Sequence, residues 1–298
     1  MKSTLIFFGT LFFISVEPTQ LDDKPVQIKY DFKMPIEEHF LPEILHEISG
    51  LTDIDDHRIA CIQDELGLIF LYDLNKKEII ERYQFAAAGD YEGITYTGHS
   101  VFILRSDGML IECSLSDDHN NVTKVDSFYT DIPAKDNEGL CFDRQNNRLL
   151  IGSKSKIGNG SEFKDVRGVY AYDLTTKVTS KEPVINIYRS QILDFADKNN
   201  IKLPSKTKKK SGEEIADIKI AISALAVHPE SGEYYILSAR DYLLIICNKK
   251  GEIQNLVLLD QEKFQKAEGI TFFDNGDLLI SNEGVDQQPT LFKFGMLD

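Results

Sequence analysis

Residues 91–115 read Tyr91-Glu-Gly-Ile-Thr-Tyr-Thr-Gly-His-Ser-Val-Phe-Ile-Leu-Arg-Ser-Asp-Gly-Met-Leu-Ile-Glu-Cys-Ser-Leu115. Three apolar runs are separated by Thr-Gly-His-Ser and Ser-Asp-Gly, residue types that turn a chain back on itself, so the stretch predicts three consecutive antiparallel strands. Its opening, an acidic or small polar residue, a small residue and an aliphatic one, recurs through the chain. The starts are Ser49-Gly50-Leu51, Glu92-Gly93-Ile94, Glu138-Gly139-Leu140, Ser223-Ala224-Leu225 and Glu268-Gly269-Ile270, spaced by 43, 46, 85 and 45 residues. The third run recurs as well, at Gly67-Leu-Ile-Phe-Leu-Tyr-Asp-Leu74, Gly108-Met-Leu-Ile-Glu-Cys-Ser-Leu115 and Gly168-Val-Tyr-Ala-Tyr-Asp-Leu174. Multi-stranded repeats of this length are the mark of a β-propeller, one repeat per blade. Helical periods between the strands, which a doubly wound α/β enzyme requires, are missing.

Two intervals depart from the period. The 85-residue gap is long enough for a sixth blade, but residues 188–201 read as a short helix and residues 203–212, Leu-Pro-Ser-Lys-Thr-Lys-Lys-Lys-Ser-Gly, as a polar loop. Residues 188–219 are therefore assigned to an insertion between blades three and four, giving an all-β, five-bladed propeller with a six-bladed ring as the alternative. The last unit is about ten residues short, as if its outer strand were supplied from elsewhere. Val26-Gln-Ile-Lys-Tyr-Asp-Phe-Lys33 alternates apolar and polar residues with the period of a half-buried strand. This N-terminal strand is expected to complete the last blade and leave no long sheet edge exposed.

The 298 residues carry 48 Asp plus Glu against 33 Lys plus Arg, a formal charge of −15. That excludes a nucleic-acid binder resting on clustered basic side chains. Lys2 followed by the mostly apolar residues 5–16 has the form of a secretory leader. Twelve residues rise only about 18 Å as a helix, too little to span a bilayer core of about 30 Å. Residues 1–20 are expected to be a signal peptide or N-terminal hydrophobic segment, and residues 21–298 a single domain. The four cysteines form no CxxC pair; Cys113 and Cys247 share the blade position of Tyr72 and Tyr172 and are expected in the core. His99 and His228 fall at turns and are expected at the surface, and the lysines of residues 206–210 are expected on a solvated loop.

Together, Glu47-Ile-Ser-Gly-Leu51, Tyr91-Glu-Gly-Ile94, Asn137-Glu-Gly-Leu140, Ile222-Ser-Ala-Leu-Ala-Val-His-Pro-Glu-Ser-Gly-Glu-Tyr-Tyr235 and Ala267-Glu-Gly-Ile270 resemble the SdiA-regulated (YjiK-like) β-propeller proteins of bacteria over about residues 25–298. The resemblance implies a five-bladed propeller, an envelope location behind an N-terminal hydrophobic segment and a calcium site. It implies no reaction.

In a propeller the first strand of each blade lines the channel, so Glu92, Glu138 and Glu268 should converge on the axis with Ser49 and Ser223. Three carboxylates in one mouth call for neutralisation, and an oxygen-rich site suits Ca²⁺, with Mg²⁺ as the alternative. The competing reading has each carboxylate fastening neighbouring blades by accepting backbone hydrogen bonds. The ends of the second strands should reach the same face, bringing Arg105, Lys154 and Arg240 as anion contacts and Asn282 and Glu283 beside them. No His-Glu-x-x-His, Gly-x-Ser-x-Gly or phosphate-cradling motif occurs, and no catalytic residue is assigned. The expectation is an exported, envelope-associated, monomeric binding protein for a small molecule or envelope protein, able to meet the membrane through its N-terminal segment. The alternative is a metal-dependent hydrolase of lactones or phosphoesters, with Asp64 or Glu283 as general base; the third reading is a purely structural interaction module.

Overall fold

The structure is a computed structural model, described here for residue 25 and residues 27–116 and 122–297. The proposed leader, residues 1–20, and His119 lie outside the described residues.

Five antiparallel sheets follow one another around a ring. Blade one comprises Ile48–Asp53, Arg58–Gln63, Leu68–Asp73 and Glu78–Gln84. Blade two is Tyr91–Tyr96, Ser100–Arg105, Met109–Leu115 and Val122–Tyr129. Blade three is Asn137–Asp143, Arg148–Ser153 and Val166–Asp173, with an outer edge split into Val178–Thr179 and Ile185–Tyr188. Blade four is Ala224–Val227, Tyr234–Ser238, Leu243–Cys247 and Ile253–Leu258. Ala267–Phe272, Leu278–Asn282 and Thr290–Phe294 form blade five. The six-bladed alternative is thereby set aside.

Each blade is packed on both faces, which is why its middle strands are continuous apolar runs: all residues of Tyr234–Ser238 and Leu243–Cys247 are buried. The core divides into clusters lying between successive blades. Ile62 and Ile69 of blade one meet Ile94 and Ile103 of blade two, and Leu104 meets Leu149 and Ile151 across the next interface. The four cysteines are buried and form no disulfide with one another, Cys113 and Cys247 lying where core packing places them.

The ring closes through an N-terminal strand, but a different one from that expected. Glu37–Phe40 pairs antiparallel with Thr290–Phe294, in the register Glu37↔Lys293 and His39↔Leu291. The expected strand, residues 26–33, forms no ladder over its described part. Its Tyr30 and Phe32 are buried instead as plugs between blades four and five, and the chain turns where the Lys33 N–H donates to Asp31 Oδ1 at 2.9 Å. Alternation there reports plugging side chains rather than strand pairing. In the true closing strand the one buried residue is His39 while Phe40 is exposed, so the apolar pattern is inverted.

His228 is also corrected: it is fully buried rather than superficial. The Tyr30 hydroxyl donates to the Gly276 carbonyl at 2.7 Å and faces His228 Nε2 at 3.0 Å, while His228 Nδ1 accepts from the Glu230 and Ser231 N–H groups. With its one proton committed to Gly276, the hydroxyl must accept from Nε2–H, so His228 is the neutral Nε2 tautomer. The insertion contains the expected helix, Arg189–Lys198, whose Ile192 and Ala196 pack into the interface of blades three and four. Its lysine-rich part is a short hairpin, Ser205–Thr207 with Glu214–Ala216, rather than a loop.

Candidate functional site

The axis is shaped by the repeat starts. In each blade the small residue lets neighbouring inner strands approach closely; a Cβ on Gly93 would lie 2.7 Å from Leu140 Cβ and 2.9 Å from the Glu138 carbonyl oxygen. The aliphatic residue that follows, Leu51, Ile94, Leu140, Leu225 or Ile270, narrows the channel to a segment of about 10 Å³, room for one water at most. This waist separates two mouths. One is acidic, at the start of the inner strands, and the other opens at their far ends.

Glu92, Glu138 and Glu268 share the acidic mouth, as their spacing in the repeat predicts. Burial followed by repulsion from Glu138 pushes the Glu92 carboxyl up to about 8. Burial and then Glu268 raise Glu138, and burial and then Glu283 raise Glu268. Two lysines enter the same mouth. Lys154 Nζ donates to Glu138 Oε1 and Lys266 Nζ contacts both Glu283 oxygens at 2.6 Å. Burial alone would lower the Lys154 ammonium, but the hydrogen bond and charge of Glu138 outweigh it and hold it protonated. Four carboxylates against two ammonium groups leave a formal excess of two negative charges.

Backbone fastening does not describe these carboxylates. The oxygen that ties inner strands together is a serine hydroxyl: Ser49 Oγ donates to the Tyr91 carbonyl at 2.6 Å and Ser223 Oγ to the Ala267 carbonyl at 2.9 Å. Glu138 Oε2, by contrast, is buried without a partner. Among the described residues the other buried side-chain oxygens lacking a partner are Asp64 Oδ1, Asn137 Oδ1, Ser155 Oγ, Ser281 Oγ and Asn282 Oδ1, all at this end of the propeller. An unpartnered carboxylate oxygen with carbonyl and hydroxyl oxygens at the same end of the ring offers the kind of oxygen ligands a hard cation takes. The carboxylate oxygens of Glu92, Glu138 and Glu268 are not drawn into one compact cluster; among the described residues only Asp55, Asp56 and His57, in a turn at the opposite end, place ligand atoms within 4.8 Å of one another.

A cleft of about 540 Å³ adjoins the mouth, with Glu138, Glu268, Lys154, Lys266, Arg240 and Tyr242 among its lining. Of the residues expected to contact an anion, it unites Lys154 and Arg240. Arg105 is drawn away, its guanidinium on Asp107 at 2.6 Å and on the Tyr129 hydroxyl at 3.0 Å. Asn282 is buried and donates to Thr290 Oγ1 at 3.1 Å, and Glu283 serves as the partner of Lys266. Lys266 is the residue that sequence reasoning missed. It precedes the Glu268 repeat start by two positions with no basic counterpart in the other repeats, so no periodic signal marks it.

Five four- or five-stranded antiparallel sheets around a central channel, closed by a strand from the other end of the chain, define a five-bladed β-propeller. The chain belongs to the SdiA-regulated family, whose model matches residues 26–293. No curated protein matches it. Among solved structures it is similar to glutaminyl cyclase of Myxococcus xanthus, with 13% identity, a TM-score of 0.56, and 89% of this chain and 97% of that one covered. It is also similar to U3-55K, with 9% identity, a TM-score of 0.52, and 88% and 100% covered. The RRP9 WD40 repeats are similar at 8% identity, a TM-score of 0.51, and 87% and 97% covered. At these identities the likeness is one of fold alone.

Proposed function

We propose that the protein is an exported or envelope-associated binding protein that takes a divalent cation, Ca²⁺ before Mg²⁺, in its acidic mouth and a small anionic ligand in the adjoining cleft. The observation that carries this reading is the buried, unpartnered Glu138 Oε2 in a mouth where four carboxyl groups meet two ammonium groups. Ca²⁺ accepts six to eight oxygens in irregular arrangements, which suits acceptors contributed by several strands better than the strict octahedron of Mg²⁺. Glu92, Glu138 and Glu268 would hold the ion, and its charge would replace the protons that the raised carboxyls otherwise retain. Lys154, Lys266 and Arg240 would then face an anion in the cleft, Lys154 being freed from Glu138 as the ion takes its place.

Calorimetric titration tests the cation. Saturable Ca²⁺ binding that weakens at least tenfold in Glu138→Gln is expected, since a charged ligand oxygen is removed while its shape is kept. Wild-type affinity in that variant would contradict the reading. A second reading, metal-dependent hydrolysis, is favoured by Asp64: burial, then Glu47 and Glu283, push its carboxyl up to about 6, a value suited to a general base. A lactone and phosphoester screen with and without EDTA decides it. Turnover that EDTA abolishes and Asp64→Asn reduces would establish the enzyme; its absence leaves the binder.

A further inference from the structure

The far mouth of the channel is unlike the acidic one. The inner strands end there in a funnel of about 540 Å³, within the range of small-molecule sites. Its floor is the other side of the aliphatic waist, Leu51, Ile94, Leu140 and Ile270, and Phe142 and Phe272 stand in its wall. One carboxylate, Asp53, belongs to this wall, and Thr271 Oγ1 donates to its Oδ1 at 3.0 Å, fixing the group's orientation and leaving Oδ2 for another donor. Around the rim stand Asp55, Asp56 and Asp274. Arg144, the one arginine or lysine in the lining, reaches Asp274 at 3.1 Å with 69% of its side chain exposed, so it stays at the rim; His228, also in the lining, is neutral.

We propose that this funnel is a second ligand site, separated from the acidic mouth by the waist, and that it takes a small organic cation whose apolar body rests on the floor while its ammonium group donates to Asp53. The chemistry selects this class in three ways. An anion would face the acidic rim and the Asp53 carboxylate. At Asp53 a bare divalent ion would find one carboxylate among threonine hydroxyls and hydrocarbon, short of the oxygen shell it needs, because the rim aspartates are engaged elsewhere: Asp55 with Arg58 at 2.6 Å, Asp56 with His57 at 2.8 Å and Asp274 with Arg144 at 3.1 Å. An apolar molecule without charge would leave Asp53 desolvated and unpaired, a costly arrangement that an ammonium donor relieves. Burial already presses the Asp53 carboxyl up to about 6, a rise that the Thr271 hydrogen bond and the charge of Arg144 offset only in part.

Calorimetry with 2-phenylethylamine, and with 3-phenylpropionate as a counterpart of similar shape and opposite charge, tests the proposal on the full chain. The amine is expected to bind one-to-one and the acid not at all. Asp53→Asn, which keeps the oxygen that Thr271 bonds, is expected to weaken the amine about tenfold or more. Glu138→Gln, at the other mouth, is expected to leave it unchanged, so failure here is separable from failure of the cation reading. Equal binding of amine and acid, an unaltered Asp53→Asn protein, or no saturation at millimolar amine would overturn the proposal. Should that variant not fold, methyl NMR of the wild-type protein decides. Amine-dependent shifts at Ile94 and Ile270 support the site, and their absence, or shifts confined to a methyl remote from the funnel such as Ile192 of the insertion helix, overturns it.

Discussion

At Gly93 an added methyl group meets backbone and Cβ atoms of the neighbouring inner strand, whereas at Gly139 it meets Leu225 Cδ2, the end of a flexible side chain. Gly93→Ala should therefore destabilise the fold by about 1–3 kcal/mol, the usual cost of overpacking, and Gly139→Ala by less, an order that urea denaturation measures. The repeat that reveals this residue pair is also what makes Glu92, Glu138 and Glu268 legible: position in a periodic unit translates directly into position around an axis. Lys154 was legible too, as the residue ending a second strand. Its attachment to Glu138 was not, since a lysine's reach is decided by which charge lies within range, a property of the assembled ring.

Among elements, the closing strand shows where pattern reading stops. Glu37–Phe40 contributes backbone hydrogen bonds and one buried side chain, and that side chain is a histidine held by Glu37 and near the Tyr72 hydroxyl. Residues 27–36 contribute burial without a strand ladder, tied by isolated backbone bonds such as Leu297 N–H to the Lys29 carbonyl at 2.8 Å. The two roles are separable by truncation. Removing residues up to 33 takes away the plug alone, and removing residues up to 40 takes the strand as well; both should lower the melting temperature, the second more sharply. Replacing Phe40, 62% exposed, with Lys should leave it nearly unchanged; equal losses would mean that the edge depends on the side chain rather than the ladder. The plug has its own signature. Burial, with the charge of Lys29, lowers the His228 pKa below its ordinary 6.5. A histidine depressed in the folded state contributes stability above its unfolded pKa, lost as pH falls below about 6.5. Tyr30→Phe removes the acceptor for Nε2–H and should reduce stability at neutral pH by about 1–3 kcal/mol.

Over the whole molecule the −15 charge is unevenly placed, and the acidic mouth is where its cost concentrates. Glu92 rises from 4.5 to about 8 on folding, with Glu138 and Glu268 moving in the same direction. Carboxyls raised in the folded state favour it below their unfolded pKa, and that contribution is lost as pH climbs through the folded value. Metal-free protein should thus lose thermal stability between about pH 7.5 and 9, a range in which His228 is almost wholly neutral both folded and unfolded. Saturating Ca²⁺ should restore most of the loss, with its largest effect at the alkaline end, where no proton competes for the site. A melting temperature that rises with pH over this interval would place the repulsion elsewhere.

The most direct measurement is a crystal structure of protein grown with Ca²⁺ at about pH 8, with anomalous scattering recorded at the channel. A peak is expected in the acidic mouth, with Glu138 Oε2 at a Ca²⁺–oxygen distance of about 2.3–2.6 Å and Lys154 displaced from Glu138. A mouth without a peak, in which Lys154 still holds Glu138, would contradict it.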